Sequence, residues 1–210
     1  MNHYLPTTAS GNATDAANTR VFLQQAVDHY PRLVAFSFTL GLPYRESMAD
    51  YRSLFLRFHA EVWQRTGAYS RERQQALLNS PPTLLRWIWE SASAPECKMV
   101  LLVNLDTLGR AQDGSTQQAI SEILREAWLT VTDSEHHGVT NITPIIINRS
   151  VRGAFTVPFN QLTAQVQAMS ASVATARTGV TAYMPEAEVH GDRSQSGPPE
   201  ISIVQEHVTD

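Results

Sequence analysis

The stretch "PECKMVLLVNLDTLGR", residues 95–110, decides the fold, because it predicts a buried strand that runs into a turn. Six of the seven residues that begin at Met99 are apolar, and the pattern breaks at Asp106. The strand has a polar lead-in that contains Glu96 and Lys98. This lead-in has two interpretations, the exposed start of a core strand or part of an active site.

The segments around this strand predict an α+β fold. Residues 83–91 and 98–105 are predicted to form strands, and the short connection between them suits a hairpin of antiparallel neighbours. The other predicted elements are strands over 32–42 and 141–148 and helices over 15–30, 48–67, 70–78, 115–131 and 160–177. Pro144 places the last strand at an edge or a bulge. Long helices between these strands favour an α+β sandwich, a mostly antiparallel sheet of about four to five strands with helices packed on one face.

Composition and charge divide the chain into three parts. Residues 1–15 are polar and small, which predicts a flexible arm before a single domain over residues 16–185. Residues 186–210 are rich in acidic residues, glycine, serine and proline, which predicts a disordered tail. The tail has six acids and one base, so the net charge of −4 leaves the rest of the chain at about +1. Such a charge predicts modest non-specific affinity for nucleic acid.

The sequence also bears on location and cofactors. No apolar run approaches the roughly 20 residues that cross a bilayer, and the N-terminus does not resemble a secretory signal. The single cysteine, Cys97, excludes an internal disulfide. A cytoplasmic protein without membrane insertion is therefore expected. The chain has no phosphate-binding loop or dinucleotide motif, and His136 and His137 are interpreted as part of a solvated turn, so neither a cofactor nor a metal is predicted.

Candidate residues for binding a nucleic acid or a partner lie on the second predicted helix and on the strand over 83–91. These candidates are Arg52, Arg57, His59, Arg65, Trp87 and Trp89. His59 follows Arg52 by seven residues and shares its helix face, so we expect a solvated polar face, with a phosphate-contacting face as the alternative. Trp87 and Trp89 project from one face of their strand. Packing under a helix is favoured over a base-stacking platform.

Several landmark residues follow a familiar order between residues 30 and 150. They are Tyr30-Pro31-Arg32-Leu33, Leu85 to Glu90, Leu101 to Asp106, Trp128 and Gly138. Over this range the chain resembles the inovirus replication-protein family and its YagK/YfjJ-like prophage relatives. The resemblance implies a degenerate branch of the HUH endonucleases, with their Rep-like sandwich fold.

The same resemblance implies where a catalytic site would lie. In HUH endonucleases two histidines at i and i+2 on the central strand hold a divalent metal, and a tyrosine attacks the scissile phosphate. The shared pattern places those two positions at Glu96 and Lys98, and Tyr183 follows the last predicted helix where a nucleophile could lie. An ammonium has no lone pair for a metal, so metal-dependent nicking is not expected.

We therefore expect a non-catalytic binding protein of a plasmid or prophage. It would regulate or inhibit replication or DNA transfer through a protein partner, with single-stranded or origin DNA as the alternative partner. Two other functions stay open. One is a nicking initiator that uses Tyr183, with Glu96 and Lys98 at the phosphate. The other is a repressor that reads duplex DNA through the arginines of the second helix and loses affinity steeply with salt.

Overall fold

The computed structural model describes residues 7–8, 12–45, 47–74, 84–90, 95–108, 114–134, 138–149, 156–169 and 173–179. The helices are α1 (Asn12–His29), α2 (Met48–Gln74), α3 (Gly114–Thr132) and α4 (Thr156–Gln167). The strands are β1 (Thr7–Thr8), β2 (Arg32–Gly41), β3 (Leu84–Glu90), β4 (Glu96–Asn104), β5 (Val139–Asn148) and β6 (Val173–Gly179). One 3-10 turn, Leu105–Leu108, follows β4 directly. Within these ranges no helix combines the length and the apolar character needed to span a membrane.

The strands form one open antiparallel sheet in the order β1-β6-β3-β4-β2-β5. Five strands are long, and β1 adds two residues at the outer edge of β6. Strand β4 is the middle one of the five, paired with β2 on one side and with β3 on the other. The predicted hairpin pairing of β3 with β4 and the α+β class are confirmed.

Helices cover both faces of the sheet, so the expected single helical layer is corrected. Alternate residues of a strand point to opposite faces. In β2, Phe36 and Phe38 pack in a core with α2 and α3, whereas Leu33 and Ala35 pack in a second core with α1 and α4. We call these sides the α2/α3 face and the α1/α4 face. Because each face of the sheet has its own core, β2 and β4 are apolar on both sides, which is typical of strands that are buried on both faces.

Helix α2 continues through Gly67, where the sequence predicted its end, and it spans 27 residues. The buried stripe of the helix continues across the glycine, from Thr66 before it to Ser70 after it. The Ser70 hydroxyl donates a 2.8 Å hydrogen bond to the carbonyl of Thr107, in the 3-10 turn. Packing of this last part against the turn after β4 therefore outweighs the cost of one glycine, about 1 kcal/mol.

The predicted helix over residues 160–177 is wrong in its second half. Helix α4 ends at Gln167, and residues 173–179 form β6, which pairs along its length with β3. Alanine-rich composition suggested a helix, but Ala176 and Thr178 alternate toward the α2/α3 face, where Thr178 accepts a hydrogen bond from Trp87. Pairing with a central hairpin strand overrides the local propensity here.

Strand β5 lies at the outer edge beside β2, as Pro144 indicated, and contains an irregularity opposite Phe38. The register with β2 shifts between Ser37 and Thr39, and Asn141 has a φ of 55°. Asparagine is one of the few residues that adopt this left-handed conformation at small cost. The bulge turns Asn141 toward the same side of the sheet as Thr39 and Lys98, and all three line one depression.

Candidate functional site

The first two polar residues of β4 lie on the same face of the sheet, the α1/α4 face. Glu96 and Lys98 are both exposed, and because they are two residues apart they point to the same side. Cys97, between them, is fully buried in the opposite core. Strand β4 begins at Glu96, two residues before its predicted start, so both residues lie at one end of the middle strand of the five.

Lys98 lines a shallow depression of about 150 Å³ together with Ser37, Thr39, Asn141 and Gln165. We call it the Lys98 depression. The Ser37 hydroxyl donates a 2.7 Å hydrogen bond to the Gln165 side chain, which ties α4 to β2. Three apolar residues complete the lining, so the ammonium lies among hydroxyl, amide and apolar groups. Its charge and the neighbouring polar groups suit an anionic or polar ligand group.

The surroundings of the Lys98 depression offer a poor set of metal ligands. Glu90 is engaged nearby, since its carboxylate accepts a 2.8 Å hydrogen bond from the backbone N–H of Lys98. No three histidine, cysteine or acidic side chains come together as a possible metal site in the part of the chain that the structure describes. Helix α4, which covers this face, contains no tyrosine. Tyr183, His136 and His137 lie outside the described residues.

His59, Trp87 and Trp89 lie in the core, which corrects their assignment to a binding surface. His59 and Trp87 are fully buried, and their rings stack at 4.1 Å between centroids with an interplanar angle of 12°. Trp89 meets His59 edge-on at 5.1 Å and is 8% exposed. The Trp87 indole donates a 3.1 Å hydrogen bond to Thr178. These aromatic rings pack between α2 and the sheet, so none of them offers a face to a nucleic-acid base.

His59 is an unusual core residue, because both of its ring nitrogens are buried without a hydrogen-bond partner among the described residues. Burial lowers the pKa of His59 from 6.5 to about 3, so the ring is neutral at physiological pH. Arg52, which shares its helical register, is exposed near the start of α2. The expected polar face of this helix is therefore corrected at His59.

The three candidate arginines on α2 differ in how far their side chains are available to a ligand. Arg65 is occupied within the fold, where it bonds to Glu61 at 2.8 Å, Glu126 at 2.7 Å and Thr130 at 3.1 Å and so joins α2 to α3. Arg57 donates a 3.2 Å hydrogen bond to the carbonyl of Val131, near the end of α3. Arg52 is exposed and available to a ligand. Of the other two candidate arginines, Arg57 is partly available, because one of its N–H groups is used by the bond to Val131.

Arg57 also lines a cleft of about 510 Å³ at the start of α2. The cleft residues are Tyr44, Arg45, Asp50, Ser53, Leu54 and Arg57. Tyr44 is 82% exposed there, and its phenol and the two arginines make the cleft polar and open. It is the larger of the two concave surfaces described here.

The sequence prediction missed two arginines on the α1/α4 face. Arg86 on β3 is only 3% exposed, and Arg177 lies directly opposite it on β6. One signal was available, since Arg86 is a lone charge within the apolar run "LLRWIW" and alternates with the tryptophans. The other signal was hidden, because the segment that contains Arg177 was predicted as helix.

The fold and site define an α+β protein whose open antiparallel sheet lies between two helical layers, with a polar end on its middle strand. The chain belongs to the family described as Uncharacterised conserved protein UCP030791, whose family model matches residues 9–142. The match covers the chain from α1 into the first part of β5, including Glu96, Lys98 and Arg86. No curated protein and no solved structure matches the chain.

Proposed function

We propose that this protein acts by binding rather than by catalysis, as a degenerate relative of rolling-circle replication initiators. In this proposal it works in the cytoplasm for a plasmid or prophage and regulates or inhibits replication or DNA transfer. Its partner is a protein of the replication or transfer apparatus. The proposal carries forward the resemblance to inovirus replication proteins, while the matched family itself is described without a function.

The observation that carries the proposal is the chemistry at the start of β4. An HUH endonuclease needs two imidazoles on the central strand, and here the middle strand presents Glu96 and Lys98 on one face. The ammonium of Lys98 repels a cation and offers it no lone pair. The remaining side chains of the Lys98 depression are neutral, which suits recognition of a partner's polar groups better than activation of a phosphate.

Two further observations favour a protein partner over duplex DNA. Arg65 is already bound by two carboxylates, so it has little capacity left for phosphates. The chain has a net charge of −4, which gives weak long-range attraction to a nucleic acid. The arginine-helix repressor is therefore the less favoured alternative, and it would rest on Arg52, Arg57 and the cleft beside them.

The test is a titration of the protein with fluorescent single- and double-stranded DNA at two salt concentrations, with and without Mn²⁺. The same samples are run on a denaturing gel to detect a covalent adduct. We expect no adduct and only weak binding. An adduct that disappears in Tyr183→Phe would support the nicking alternative. Binding to duplex DNA that falls steeply with salt and weakens in Arg52→Met would support the repressor.

A pull-down from cells that carry the element tests the partner directly. We expect a replication or transfer protein to co-purify with the wild-type chain and to be lost with Lys98→Glu, which reverses the charge at the depression. Arg125→Glu is the matched control, because it makes the same charge change at an exposed position on α3. Equal recovery with both variants would contradict a binding role for the Lys98 depression.

A further inference from the structure

Two arginines face each other across neighbouring strands on the α1/α4 face. Arg86 of β3 is registered directly against Arg177 of β6. Like charges that are directly opposite in a sheet destabilise it. Both guanidinium groups approach the ring of Phe22 on α1, at 5.7 Å for Arg86 and 5.6 Å for Arg177. The two cations therefore lie beside the same aromatic ring. Their mutual repulsion lowers the stability of the protein when no ligand is bound.

Arg86 is the more unusual member of the pair. Its side chain is almost completely buried, and its Nε and Nη1 have no hydrogen-bond partner among the described residues. Burial, and then repulsion from Arg177, lowers the pKa of Arg86 to about 10, so the guanidinium is still charged at physiological pH. A buried charge that donates too few hydrogen bonds is costly unless a counter-ion joins it.

The described residues provide no such counter-ion. Their four ion pairs involve Arg32, Arg65 and Arg149, and neither Arg86 nor Arg177 takes part in any of them. Among the described residues, Arg177 donates a 2.6 Å hydrogen bond to a neutral group, the Gln25 amide oxygen. The Tyr30 phenol interacts electrostatically with Arg86, and burial raises the pKa of this phenol although the charge of Arg86 opposes that rise. A phenol of this kind is protonated at neutral pH and adds a hydrogen-bond donor.

From this juxtaposition we propose that Arg86 and Arg177 form a binding site for an oxyanion, a phosphate or a carboxylate group. Two guanidinium forks match the planar or tetrahedral oxygens of such a group and can bind it through several charge-assisted hydrogen bonds. Arg177 and Gln25 are exposed, so the site opens to solvent beside the buried Arg86. The site is separate from the Lys98 depression, and the inference does not depend on the proposed function.

Two sources could provide the oxyanion, a free phosphate group or a carboxylate of the acidic segment 186–210 of this chain, which has six acids. The probe for both is inorganic phosphate, added to the full chain at constant ionic strength and followed by calorimetric titration and by thermal melting. A second protein has the six acids of that segment replaced by their amides. If the segment's own carboxylate fills the site, phosphate will bind only to this amide variant.

We expect phosphate at ten times its Kd to raise the Tm by about 3–6 °C. Arg86→Met should lose this response while melting no lower than the wild type, because a buried unpaired charge is replaced by an apolar side chain of similar length. Arg86→Lys keeps the charge but loses the fork, so we expect phosphate affinity to fall by about tenfold. The Arg86→Lys variant tests the site even if Arg86→Met does not fold. Arg125→Met, at an exposed position on α3, is the matched control and should keep the full response.

The inference is overturned if neither the wild type nor the amide variant shows a phosphate response that depends on Arg86. It is also overturned if Arg86→Met and Arg86→Lys both respond as the wild type does. A response in the wild type assigns the site to an external phosphate. A response in the amide variant alone assigns it to the chain's own carboxylates, and in both cases the oxyanion site stands.

Discussion

Replacing His59 with phenylalanine should change how the stability of this protein depends on pH. His59 is fully buried against Trp87, and neither ring nitrogen has a hydrogen-bond partner among the described residues. To accept a proton in the folded state, the ring would become a buried cation beside apolar and aromatic groups. A phenylalanine preserves the stacked ring but has no group to protonate.

The size of the effect follows from proton linkage. In the unfolded chain His59 has its ordinary pKa of 6.5, and in the folded chain burial lowers that pKa to about 3. The unfolded state therefore binds more protons, so the free energy of unfolding falls as the pH drops below about 6.5, and the loss continues toward about pH 3. Between about pH 7.5 and pH 5 the linkage relation gives a loss of about 2 kcal/mol from this one residue.

The assay is urea unfolding of the wild type and of His59→Phe at these two pH values. The other six histidines are present in both proteins, so their contributions cancel in the comparison. The wild type should lose about 2 kcal/mol more than the variant on acidification. Arg125→Met, an exposed substitution on α3 that removes no histidine, is the control and should lose as much as the wild type. Parallel losses in the wild type and His59→Phe would refute the assignment of His59 as a buried neutral residue.

Three other substitutions or reactions test the fold. Arg65→Met should lower the free energy of unfolding by about 1 kcal/mol, because it breaks a partly exposed network of ion pairs between α2 and α3. Arg52→Met should change this free energy little, and urea titration of both variants makes the comparison. Asn141→Ala should cost about 1 kcal/mol, measured in the same way, because alanine lacks the polar side chain that lets asparagine adopt a φ of 55° at small cost. Asn141→Gly should cost less, because glycine has no Cβ. Burial raises the pKa of the Cys97 thiol, so a thiol reagent should modify it only at the rate of unfolding, and rapid labelling of the folded protein would contradict its burial.

Much of the fold was predictable because the relevant residues signal burial locally. The apolar runs of β3 and β4 and the short connection between them predict the hairpin. The helical spacing of Ile120, Leu124 and Val131 indicates the buried side of α3. The second helical layer was also encoded, since β2 is apolar on both faces, a pattern typical of a strand covered on both sides. Strand β6 was not predictable in this way, because "VATARTG" has small residues whose burial depends on β3.

The site was predictable only in part, for reasons of geometry. The position of Glu96 and Lys98 follows from strand alternation, so the sequence was sufficient to place them on one face. His59 was placed on the surface, although it lies four residues after Phe55 and so belongs to the broad apolar stripe of α2. The pairing of Arg86 with Arg177 required the register of β3 against β6, which no local pattern contains.

The two edges of the sheet bear on how the protein behaves at high concentration. An edge strand offers backbone N–H and C=O groups that can pair with a strand of another molecule and start aggregation. At one edge, β1 occupies part of that template beside β6. At the other, Pro144 removes a backbone donor from the middle of β5, which interrupts the continuous row that a second chain would need. Both interruptions disfavour self-association through the sheet, and they leave its two helical faces as the surfaces on which specific recognition can develop.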